Sequence, residues 1–122
     1  MYEVFVKTHF SAAHHLREYP GNCARWHGHN WEVTLFIQAR ELNELGIAVD
    51  FREIKDVLNE LLDGLDHSDL NEHPAFADRN PTSELIAKFL YDEVSRRLND
   101  GNIQVDRVQV SETPGTGAVY SE

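Results

Sequence analysis

The segment "CARWHGHNW" (residues 23–31) holds the only cysteine of the chain, and His27 and His29 flank a glycine within it. Side chains two residues apart on an extended chain point to the same side, so both imidazoles can face one ion, and Gly28 adds no side chain to crowd the approach. Histidine is the commonest metal ligand. A second pair, His14 and His15 in "FSAAHHL", falls just past the first strand-like run. If the strands on either side of this region pair antiparallel, that pair lies beside His27. Neighbouring residues on an extended chain point opposite ways, so at most one of the two joins His27 and His29. Three histidines with an open fourth position make a catalytic zinc site, whereas Cys23 as a fourth ligand would make a closed structural one. The spacing leaves both readings open.

A second constellation is "LDHSDLN" (residues 65–71), where Asp66 precedes His67. Such a pair can act as an oriented acid and base, and the Cys23 thiol is the natural group for it to deprotonate. The competing reading is a turn closed by Asp66 with His67 exposed. A third candidate is Glu112 in "SETPGTGAVY". Alternation with Val108 and Val110 puts its carboxylate on an apolar face, where it needs a partner: an ion pair, or the N–H edge of a planar heterocycle. His9 and His73 stand apart from these clusters, and Trp26 and Trp31 read first as packing residues.

The elements that must position these groups follow from hydrophobic periodicity. Residues 2–10 and 31–39 alternate apolar and polar side chains and read as strands, with 11–30 as the loop between them. Phe51, Ile54, Leu58, Leu61, Leu62 and Leu65 recur at helical steps, and the helix should end near Gly64. A second helix runs through Leu85, Phe89, Leu90, Val94 and Leu98, capped by Asn80 or Thr82, with Glu84 in its positive first turn. Residues 103–112 and 118–121 read as a closing hairpin turned by "TPGTG". The expectation is a single α+β domain over residues 1–122, ββααββ, with a four-stranded antiparallel sheet and both helices on one face. Four strands leave two open edges, which favours pairing with further copies.

At 122 residues the chain suits one domain, and 41% hydrophobic with 26% charged residues is the balance of a globular protein. A formal net charge of -10 disfavours nucleic acid and anionic membranes as partners. No apolar run suggests a signal peptide or membrane span, and one cysteine asks for no oxidising compartment, so a cytoplasmic protein is expected.

Taken in order, "FSAAHHL", "CARWHGHNW", "VDF", "LDHSDLN", "NPTSE" and "SETPGTGAVY" resemble the signatures of the pterin synthase family, which contains 6-pyruvoyltetrahydropterin synthase and 6-carboxytetrahydropterin synthase of queuosine biosynthesis. The resemblance runs nearly end to end. It implies zinc held by His14, His27 and His29, a catalytic thiol at Cys23, an Asp66–His67 pair, and Glu112 gripping the amino and ring N–H groups of a pterin. Glu84 aligns with a further position near the pterin. It also implies the tunnelling fold, assembled as a homohexamer from two trimers with sites between subunits. Three residues, "ARW", separate Cys23 from His27. That spacing resembles the carboxy branch, which converts 7,8-dihydroneopterin triphosphate to 6-carboxy-5,6,7,8-tetrahydropterin with loss of acetaldehyde and triphosphate. The alternatives are the pyruvoyl branch, which carries out only the triphosphate elimination, and a non-enzymatic structural zinc protein ligated by Cys23. The charge of -10 sits against a triphosphate substrate unless local cations, with Lys7, Arg17 and Arg25 as candidates, offset it.

Overall fold

The computed structural model describes residues 1–122. Val, Ile, Phe and Thr at alternating positions fit a pleated, half-buried surface, and the first two such runs form β1 (Tyr2–His14) and β2 (His27–Ala39), thirteen residues each. They pair antiparallel in unbroken register from Tyr2 opposite Ala39 to His14 opposite His27. Both strands extend past the bounds that β propensity marks, 2–10 and 31–39. "SAAH" and "HGHN" are poor strand formers alone, but each supplies the other's ladder partner, and tertiary pairing overrides propensity. His14, His27 and His29 are therefore strand residues.

The helices are α1 (Phe51–Asp63) and α2 (Ser83–Leu98). Asp50 caps α1 by accepting the Arg52 N–H, and Thr82 caps α2 by accepting the Leu85 N–H at 3.2 Å. Asn80, the alternative cap, is instead bonded to the backbone of Arg17. Ile54, Leu58 and Leu62 form the buried stripe of α1, while Phe51, at its first position, stays half exposed. The chain closes with β4 (Ile103–Thr113) and β5 (Thr116–Ser121), the latter starting two residues earlier than its apolar run.

The sheet has five strands, not four, and is mixed rather than antiparallel. Two residues, Ser68–Asp69, form β3 and pair parallel with Ala12 and Ala13 of β1, giving the order β3-β1-β2-β4-β5. A two-residue strand carries no alternation for periodicity to detect. Inward residues of β1, β2 and β4 and the buried faces of both helices merge into one apolar cluster. No helix is long and apolar enough to cross a membrane.

β4 carries an irregularity that bears on Glu112. Val110 pairs with Ala118 and Thr113 with Thr116, so Ser111 and Glu112 together face only Gly117. A Cβ on Gly117 would sit 2.6 Å from Ser111 Oγ and 2.7 Å from the Val110 carbonyl oxygen, so the missing side chain is what lets β5 close on the bulge. Gly117→Ala should lose about 1–3 kcal/mol, the usual cost of overpacking, read as a lower urea midpoint. An unchanged midpoint would show that the bulge yields freely.

Candidate active site

Cross-strand register assembles the three histidines. His14 lies directly opposite His27, and His29 lies opposite Ala12, two residues before His14 on the same face. Their ligating nitrogens lie within 4.8 Å of one another, and Cys23 is not part of the group. The ring centroids of His14 stand 4.5 Å from His27 and 5.2 Å from His29. The floor is Trp31, fully buried, with its ring 4.8 Å from His14, its indole N–H donated to the Ala12 carbonyl, and Phe10 stacked on it.

The tautomers follow from the partners. His14 Nδ1 lies 2.8 Å from the Pro81 carbonyl and His27 Nδ1 lies 2.7 Å from that of Arg25. A carbonyl only accepts, so each Nδ1 carries a hydrogen, and the neutral form of each ring presents its lone pair at Nε2. His14 Nε2 and His29 Nε2 are buried without a hydrogen-bond partner. Burial pushes the pKa of His14 and of His29 below the ordinary 6.5, aided by neighbouring imidazoles and opposed chiefly by Pro81 at His14 and Glu112 at His29. Converging Nε2 atoms, with the Nδ1–H groups of His14 and His27 held by backbone carbonyls, are the donor set a divalent transition metal requires. The three residues fit such an ion.

Glu112 reaches the same place. One carboxylate oxygen lies 3.5 Å from His29 Nε2 and the other accepts from Ser83 Oγ at 3.3 Å. Ser83 is buried at the first position of α2 and was not singled out by sequence, because a serine beside a cap residue carries no signal of its own. Glu84, its neighbour, is exposed and makes no hydrogen bond or ion pair. The start of α2 thus holds two site groups at once, His14 through the Pro81 carbonyl and Glu112 through Ser83.

Asp66 and His67 are docked on the edge of β1. Asp66 Oδ1 accepts the Ser11 N–H at 2.8 Å, the His67 N–H is donated to the Ser11 carbonyl, and Asp66 Oδ2 lies 2.8 Å from His67 Nδ1. The Ser11 amide first, then His67, holds the Asp66 carboxyl below its usual range. His67 has a left-handed backbone, φ 53°, a strained conformation that directs a largely exposed ring outward with Nε2 free. A cavity of about 430 Å³ between His29 and His67 is lined by Ser11, Ala13 and Asn30.

Cys23 sits in a 3-10 turn, Asn22–Ala24, exposed. Its carbonyl accepts the Leu16 N–H at 2.8 Å, but its thiol touches neither His67 nor the triad within one chain. His15 turns away from the triad and packs edge-on against Trp26, centroids 4.0 Å apart. The following backbone is clamped: the Asn71 side chain pairs with both backbone groups of His15, and that of Asn80 with both of Arg17.

The profile of the 6-pyruvoyl tetrahydropterin synthase family matches residues 3–122. A protein of Bacillus subtilis named 6-carboxy-5,6,7,8-tetrahydropterin synthase is 37% identical over 98% of this chain and 84% of its own. One of the same name from Aquifex aeolicus is 30% identical over 94% and 86%. Among solved structures, that of Caenorhabditis elegans 6-pyruvoyl tetrahydropterin synthase superposes with a TM-score of 0.84 at 23% identity, covering 99% of this chain and 95% of that one, and so shares the fold.

The buried imidazoles give the metal-free protein a distinct pH dependence. His14, His29 and His73 fold with pKa values lowered by burial. Their stabilisation is complete above the unfolded value of 6.5 and is lost as pH falls through it, because the unfolded chain then takes up protons the folded one refuses. The urea midpoint of metal-free protein should drop between about pH 7.5 and about pH 5.5, well above the range where Asp66 protonates. A flat profile would contradict neutral folded imidazoles.

Proposed function

Because the chain belongs to the 6-pyruvoyl tetrahydropterin synthase family, we propose that it is a zinc-dependent lyase that converts 7,8-dihydroneopterin triphosphate to 6-carboxy-5,6,7,8-tetrahydropterin, releasing acetaldehyde and triphosphate. The observation that carries this reading is the triad of three converging histidines, His14 buried and His27 and His29 partly so, with a carboxylate beside it. Two features favour the carboxy branch: the name borne by relatives at 37% and 30% identity, and the three-residue spacing between Cys23 and His27. The product would then serve 7-deazapurine (queuosine) biosynthesis.

His14, His27 and His29 would hold the zinc, and their number leaves a position for substrate. Bound there, zinc would supply Lewis acidity toward the hydroxyls of the substrate side chain. Glu112, already oriented by Ser83, accepts hydrogen bonds from the amino and ring N–H groups of the pterin and so fixes which carbon lies over the triad. Cys23 as thiolate removes a side-chain proton. The Asp66–His67 pair, with Nδ1 committed to Asp66, moves protons at its free Nε2. Glu84 is assigned to the rim of the pterin pocket.

One chain does not bring Cys23 and His67 together, and the sheet leaves most of β1 and all of β5 open at its two edges. This supports a homohexamer, a dimer of trimers joined edge to edge, in which a second copy completes each site. Nucleic acid and membrane have no part in the proposed reaction, and a cytoplasmic setting suits the substrate.

The test is to incubate zinc-loaded protein with 7,8-dihydroneopterin triphosphate and identify products by mass spectrometry. 6-Carboxytetrahydropterin and acetaldehyde are expected, and a pyruvoyl product would move the chain to the sister branch. Cys23→Ala should keep its zinc and its melting temperature while turnover falls by at least about 100-fold, the scale of a lost proton-transfer group. Loss of zinc from that variant would instead make Cys23 a ligand. Chelation should lower the melting temperature of both proteins equally.

A further inference from the structure

The proposed substrate is a polyanion, and the chain carries 11 lysines and arginines against 21 acidic residues. Like charge slows encounter and weakens binding unless a local cation outweighs it. Three cations stand near the metal ligands in sequence: Lys7, Arg17 and Arg25. Lys7 pairs with Glu32 at 3.5 Å and, at an odd position of β1, points to the face opposite His14. Arg17 is consumed structurally, its guanidinium donating to the carbonyls of Phe76, Arg79 and Asn71 at 3.1, 2.7 and 3.2 Å. Every other lysine or arginine is paired with a carboxylate except Arg25, Arg40 and Lys55. Arg40 follows the end of β2 remote from His27, and Lys55 is exposed on α1.

Arg25 differs from both. Its N–H is donated to the Asn22 carbonyl at 3.1 Å and its own carbonyl accepts from His27 Nδ1 at 2.7 Å. Its main chain is thereby fixed between Cys23 and a metal ligand, while its side chain is exposed and unpartnered. A guanidinium is permanently charged and binds phosphate oxygens in a bidentate fork. We propose that Arg25 binds the triphosphate group of the substrate and sets the preference for phosphorylated over dephosphorylated dihydropterins. This rests on the pterin triphosphate reading above. The carbonyl that fixes the His27 tautomer and the cation that would hold the leaving group belong to one residue, so the triphosphate and the metal-bound end of the substrate would be indexed to the same short loop.

The experiment measures equilibrium binding of inorganic triphosphate, 7,8-dihydroneopterin triphosphate and 7,8-dihydroneopterin to zinc-loaded protein in the slow Cys23→Ala background, with the wild-type Arg25, Arg25→Met or Arg25→Lys, and with zinc content determined for each. Arg25→Met should weaken both triphosphates by about tenfold or more, the scale of a lost charge-assisted hydrogen bond. It should leave zinc content and dihydroneopterin affinity unchanged, and Arg25→Lys should recover part of the loss. Undiminished affinity for both triphosphates in Arg25→Met overturns the proposal, as does an equal loss for dihydroneopterin, which would place Arg25 in the architecture of the site. If the protein that keeps Arg25 binds inorganic triphosphate through it but neither pterin, Arg25 stands as a polyphosphate site and the pterin reading falls.

Discussion

The site depends on one constraint, the register of β1 against β2. Because side chains alternate with a period of two, a slip of one residue would turn His14 to the opposite face while His27 and His29 stayed, and no metal could be shared. Register has to be pinned close to the histidines, and the sequence does this from both sides. Below them, Trp31 is fully buried, stacks on Phe10 and donates its indole N–H across the strands to Ala12. Any other register would leave that buried donor unpaired, at a cost of roughly 1–3 kcal/mol.

Beyond His14 the ladder ends, and side chains imitate it. The Asn71 amide pairs with both backbone groups of His15 as a neighbouring strand would, Asn80 does the same for Arg17, and the Arg17 guanidinium ties down three carbonyls. These residues lie between the Asp66–His67 pair and the start of α2, which itself holds His14 through Pro81 and Glu112 through Ser83. The segment 66–83 is therefore the scaffold against which metal ligands and carboxylate are indexed. Carbonyl contacts of this kind fix the tautomer and direction of a histidine that is to serve as a metal ligand.

Much of this was legible in sequence because it rests on local pattern. The amphipathic stripe of α1, a cap for α2 at Asn80 or Thr82 and the same-side placement of His27 and His29 each follow from residues a few positions apart. Alternation with antiparallel pairing limits the His14–His15 pair to one ligand, and the family resemblance names His14. What escaped depends on contacts between distant segments. β3 is two residues long and exists only because β1 passes beside it. The lengthening of β1 and β2 through Ala, Gly and His needed the partner strand. Arg17 reads in sequence as a free cation near the site, yet its charge is spent on carbonyls from a loop about sixty positions away. Ser83 gains its role only from the bulge that brings Glu112 to it, and that bulge depends on Gly117 lacking a side chain.

The two halves of the candidate chemistry are held differently, and the difference bears on how the site must work. The triad is the drier half: His14 is 1% exposed, its neighbours are aromatic, and burial is the main cause that lowers the pKa of His14 and His29. Cys23 and His67 sit on turns in open solvent, where charges interact weakly and proton transfer gains little from its surroundings. A thiol and an imidazole become a matched acid and base when water is removed and each faces the other. Within one chain nothing covers them. The fold thus puts its own core behind the candidate metal ligands and the carboxylate, the groups that need fixed geometry. It leaves the proposed proton-transfer groups, Cys23 and His67, on the surface, where the proposed edge-to-edge assembly would supply both the burial and the partner.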